Sequence, residues 1–67
     1  MVNTTTNSSV FIRANEISEV MEISLAYAYR IIKQLNKELA ANGALVVQGR
    51  TNRSYFYKRL YGKGQIT

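Results

Sequence analysis

SLAYAYRIIKQLNKELAANG, residues Ser24–Gly43, has the period of one long amphipathic helix. Ala28, Ile31, Ile32, Leu35 and Leu39 recur at spacings of three and four, which gathers them into a single apolar stripe centred near Leu35. Ser24 precedes the stripe and suits an N-cap, because its hydroxyl can accept from the amides that open a helix. Asn42-Gly43 follows it, and Gly43 can take the left-handed conformation that ends one. A helix over Leu25–Asn42 is about 27 Å long.

The side of this helix away from the stripe displays Ala26, Tyr27, Arg30, Lys33, Gln34 and Lys37 within about 120° of one another. Those side chains suit a DNA major groove. Arg can bond a guanine edge through two donors, Gln can do the same for adenine, and Lys neutralises phosphates. Ser24 and Tyr27 near the N-terminus would meet the backbone, together with the free amides there. The only acid in the helix, Glu38, falls at the border of the apolar stripe. A basic helical face is by itself commonly a solvated face, so its surroundings must add to the argument.

Upstream, Asn15–Glu22 places Ile17, Val20 and Met21 on one side and Glu16, Glu19 and Glu22 on the other, predicting an amphipathic helix of about two turns. Glu22-Ile23-Ser24 interrupts the pattern. Two helices joined by a tight turn, the second longer and basic, have the outline of a helix-turn-helix. Val10–Arg13 is short and β-prone and could add a strand to a sheet edge.

Downstream, Leu45–Gln48 reads as a strand and Gly49-Arg50-Thr51-Asn52 as a turn or loop. Arg50, Thr51, Asn52 and Arg53 together fit a wing that touches phosphates or enters a minor groove, the alternative being a plain surface turn. Residues 53–61 remain open between two readings. Their aromatics suit a strand that closes a hairpin with Leu45–Gln48. Asn52 as a cap, Gly62 as a stop and the i, i+4 spacing of Phe56 and Leu60 suit a short helix. Tyr55, Phe56, Tyr57 and Tyr61 read as core packing rather than a base-stacking platform. Lys58, Arg59 and Lys63 read as a solvated face.

At 67 residues the chain is one small domain, read as 10–62, with a low-complexity leader over 1–9 read as disordered and a frayed tail over 63–67. It has no Cys, no His and no Asp, which excludes disulfides, thiolate or imidazole metal sites and imidazole catalysis. No cofactor and no enzymatic activity are expected. The net charge is +5, and it is uneven: residues 1–29 hold Arg13 against three Glu, whereas residues 30–67 hold eight Lys and Arg against Glu38. Such one-sided positive charge is the electrostatic footprint of a polyanion binder. The longest apolar runs, Leu25–Tyr29 and Ala44–Val47, are far below the roughly 20 residues of a membrane span, and Met1–Ser9 does not read as a signal peptide. A cytoplasmic location is expected.

Phe11-Ile12-Arg13-Ala14 leading to Glu16-Ile17 and Ser24, then Ala28–Leu39, Gly49-Arg50, Arg53, Tyr55-Phe56 and Tyr61-Gly62, form a familiar series. It resembles the small excisionase-like, winged helix-turn-helix proteins of phages and integrative elements of Gram-positive bacteria, over roughly Val10–Gly62. Relatives tend to follow Tyr-Phe with acidic residues in a helical segment. Here Tyr57-Lys58 stands instead, and the resemblance favours a C-terminal helix over a hairpin. The family implies an α+β winged helix-turn-helix that binds double-stranded DNA beside an attachment site. It also implies self-association on DNA and help to an integrase in choosing excision. Some relatives regulate transcription instead. A protein-only adaptor, docking its basic face on an acidic integrase or repressor, is the alternative of a different class, and single-strand or RNA binding through exposed Tyr55 and Tyr57 is a further one.

Overall fold

A computed structural model describes Ser9–Gly62; the tail and all of the leader but Ser9 lie outside the described residues. The order is β1 (Phe11–Arg13), α1 (Ala14–Met21), α2 (Leu25–Ala41), β2 (Arg50–Asn52) and α3 (Arg53–Tyr61).

The ends of α2 follow its sequence. Ser24 Oγ accepts from the Tyr27 amide at 3.1 Å. At the other end the Gly43 amide donates to Ala40 O and the Ala44 amide to Leu39 O, each at 3.0 Å, with Gly43 at φ 87. This paired closure satisfies carbonyls that the helix would otherwise leave bare. The turn between α1 and α2 is set by Glu22, which sits in the left-handed region at φ 57, ψ 49. A side chain there costs about 1–2 kcal/mol. Ser18 holds the turn against that cost: its carbonyl accepts from the Ile23 amide at 3.0 Å, and its hydroxyl donates to Ile23 O at 2.6 Å.

The strand expected over Leu45–Gln48 does not form. Within it only Val47 makes an isolated bridge, to Arg50, and Leu45 is 93% exposed. The chain reverses at Gly49 (φ 89), with the Arg50 amide donating to Val47 O, and the second strand is Arg50–Asn52, which the sequence suggested as loop. It pairs antiparallel with β1 in the register Phe11–Asn52, Ile12–Thr51, Arg13–Arg50. Burial explains the choice. Alternation in a strand sends every second side chain inward, and this register sends Ile12 and Thr51 there, both at 0% exposure. The Arg53 amide extends the ladder by donating to Val10 O at 2.7 Å.

Residues 53–61, left open between strand and helix, are helical. Asn52 Oδ1 accepts from the Tyr55 amide at 2.8 Å to open α3, and Gly62 closes it. The core joins Ile12, Ala14, Ile17, Ala28, Ile32, Leu35 and Phe56, with Met21, Ile23, Ile31, Tyr55 and Tyr57 packed against it. Val20, expected on the inner face of α1, is 42% exposed. The result is a small α+β winged-helix domain: α1 and α2 form the helix pair, and residues 44–52 form the wing beside α2. Among the described residues no helix is long and apolar enough to cross a membrane.

Candidate nucleic-acid interface

Tyr27, Arg30, Lys33, Gln34 and Lys37 are all exposed on α2, on the side away from Ala28, Ile32 and Leu35. The Arg30 guanidinium carbon lies 5.9 Å from the centroid of the Tyr27 ring, which places the two side chains over one patch of the helix surface. Among the described residues the ion pairs are Arg53–Glu16 and Arg59–Glu38, so Arg30, Lys33 and Lys37 keep their charge uncompensated by a contacting acid. The face is therefore cationic and open.

Its far edge is closed by Glu38. Gln34 Nε2 donates to Glu38 Oε2 at 2.9 Å, the Tyr55 hydroxyl donates to Oε1 at 2.7 Å, and Arg59 pairs with the same oxygen. These donors, Gln34 foremost and then Tyr55, hold the Glu38 carboxyl below the ordinary glutamate range. The cluster ties α2 to α3 through Arg59, which stays exposed, as read from the sequence, while pairing with Glu38.

The sign of the resulting pH dependence follows directly. A carboxyl whose pKa is lowered by folding stabilises the fold above its unfolded pKa, and that contribution is lost as pH falls through the folded value. Glu38→Gln is expected to flatten the decline in melting temperature on acidification below the ordinary glutamate range. Thermal melts across that range check this, and an unchanged acid limb would discount the cluster.

The wing residues divide. Arg50 is half-buried, opposite Arg13 across the strand pair, and lines a cleft with Arg13, Glu16 and Glu19. Thr51 is fully buried, its hydroxyl without a hydrogen-bond partner, and so serves the core rather than a surface. Asn52 is committed to capping α3. Arg53 spends four donor contacts inside the molecule: Nε to Ser9 O at 2.7 Å, one terminal nitrogen to Glu16 Oε2 at 2.7 Å, and the other to Phe11 O at 3.2 Å and Glu16 Oε1 at 3.1 Å. Of the four residues expected in the wing, the strand pairing turns Thr51 inward and the cap and ion pair engage Asn52 and Arg53, whereas Arg50 makes no side-chain hydrogen bond or ion pair among the described residues.

Sequence reasoning missed Asn36. Its Nδ2 donates to Val47 O at 3.0 Å and to Arg50 O at 2.9 Å, fastening the return of the wing to α2. Asn disfavours a helix interior, so an Asn between Ile32 and Leu39 was itself a signal of a partner for its amide.

The chain is 32% identical over 54 residues to the ICEBs1 excisionase of Bacillus subtilis (strain 168), an alignment spanning 81% of this chain and 84% of that relative. It belongs to the excisionase family. No family model matches the chain, and no solved structure matches it closely enough to register. The excisionase membership agrees with the resemblance carried by Ala28–Leu39, Gly49-Arg50 and Tyr55-Phe56, and with the winged-helix arrangement in which those segments meet.

Proposed function

We propose that this chain binds duplex DNA as an architectural factor that directs integrase-mediated excision. α2 lies in the major groove, with Arg30 and Gln34 toward base edges. Ser24, Tyr27, Lys33 and Lys37 meet the backbone, and Arg50 meets phosphates at the flank. The observation that carries this reading is the open face of α2, where three cations and two polar side chains project from the side opposite the core and, among the described residues, no acid pairs with those cations. A major groove about 12 Å wide admits such a helix. Thr51, Asn52 and Arg53 fall outside this contact set, being buried or half-buried and engaged within the fold, whereas Ser24 and Gln34 stay in it because both side chains are exposed beside their internal contacts.

An integrase and further copies on adjacent DNA are the additional partners under this reading. A single short reading helix contacts few base pairs, and repeated binding extends the site. The single-strand alternative loses support, because Tyr55 is half-buried with its hydroxyl on Glu38 and Tyr57 stacks on Tyr61 at 6.0 Å.

Salt-titrated gel shifts test the proposal. With about five phosphates neutralised, log K is expected to fall with log salt at a slope of roughly −4 to −5. Arg30→Ala is expected to weaken specific binding by about 1–3 kcal/mol, roughly 5- to 150-fold, and Lys33→Ala to reduce the slope by about one. Absence of affinity for any duplex at low salt would favour the protein-only adaptor instead.

A further inference from the structure

The wing holds a feature that the contact set above does not use. Leu45, Val46 and Val47 are consecutive, apolar and all exposed, and Leu45 at the tip stands almost wholly in solvent. Val46 and Val47 are 39% and 40% exposed and pack in part on the domain, but Leu45 at 93% buries almost nothing in the monomer, where a polar residue would serve better. Nor is the tip a loose excursion. Its outgoing arm is closed on α2 by the Ala44 amide to Leu39 O, and its return is held by the Arg50 amide to Val47 O and by Asn36 on Val47 O and Arg50 O.

Its position is as definite as its anchoring. Tyr29, Lys33 and Asn36 of α2 face Val46, Gln48 and Gly49 across one groove, so the loop rises along the Lys33 edge of the cationic face. A duplex lying on that face would pass the loop beside Lys33, and that cation favours its phosphates over the apolar surface of another protein. Leu is among the side chains that wedge between base steps from the minor groove, unstacking them and kinking the duplex.

We infer that Leu45 is an apolar wedge that enters a minor-groove base step next to the major-groove contact of α2 and bends the DNA there. The inference rests on the duplex-binding reading and adds to it a second point of contact with a distinct mechanical effect. The flexible pyrimidine–purine steps TA and CA are the favoured targets, since they unstack most readily.

The test uses the full chain and 40-bp duplexes drawn from a random pool by binding to it at low salt. The duplexes carry 2-aminopurine at the TA or CA steps flanking the protected segment and a fluorophore pair at their ends. The wild-type chain is expected to raise 2-aminopurine emission at one flanking step and to shorten the end-to-end distance. Leu45→Ser, at a position too exposed to affect folding, is expected to abolish both changes while leaving the salt slope of binding intact. Leu45→Phe is expected to retain them. Unchanged emission and bending in Leu45→Ser would overturn the inference while leaving duplex binding standing. So would a variant that bends a single site normally but loses cooperativity on tandem sites, since the tip would then be meeting a second copy. Failure of the wild-type chain to retain any duplex would remove the duplex-binding reading and the wedge with it.

Discussion

Phe56→Ala is expected to lower the melting temperature of the domain by roughly 12–40 °C. Phe56 is 2% exposed, the largest of the fully enclosed side chains, and meets Tyr57 edge-on with ring centroids 5.0 Å apart. It is also the buried residue through which α3 reaches a core otherwise built from β1, α1 and α2. Truncating a buried Phe to Ala costs about 3–5 kcal/mol, because the transfer energy is lost and the cavity does not close fully. A small domain of this size has a total stability of roughly 3–10 kcal/mol, so the loss consumes much of it. Far-UV circular dichroism with thermal melts reads the effect, and Phe56→Leu is expected to recover most of it. A variant melting within a few degrees of the parent would show that α3 is not packed as described.

Arg53→Ala is the second large effect, and it separates structure from binding. The Arg53 side chain is 17% exposed and its carboxylate partner Glu16 39%, so the pair is partly shielded, and two backbone carbonyls accept from the same guanidinium. Charge-assisted contacts of this kind contribute more than exposed surface pairs, which are worth about 0–1 kcal/mol. Removing Arg53 is expected to cost about 2 kcal/mol, a fall in melting temperature of roughly 8–16 °C. Arg53→Lys is expected to rescue little, since an ammonium cannot reproduce the planar fork. A double-mutant cycle with Glu16→Gln isolates the pair. If Arg53 served as a phosphate contact instead, the variant would melt as the parent does and lose DNA affinity.

Local signals made α2 legible. Its period, the Ser24 cap and the Gly43 stop lie within one stretch and act on their own neighbours, so the residues alone specify them. The same holds for the exposed cations, because a helix turns one face outward once the other is buried. The second strand was not legible on these terms. Leu45–Gln48 has the stronger β-propensity, but propensity yields to the pairing that buries Ile12 beside Thr51, which lies 39 residues further along and has no local signature. Arg53 was misjudged for a related reason: its carboxylate partner is 37 residues away, and nothing near Arg53 in the chain shows that its donors are occupied. Asn52 gave both signals at once, a turn former and a helix cap, and the choice between them depended on how Phe56 packs.

One carboxamide, that of Asn36, grips two carbonyls of the wing from the middle of α2. The protruding loop and the rod beside it are in consequence a single lever rather than two independent fingers. A load placed on the loop is therefore passed to α2 through that carboxamide.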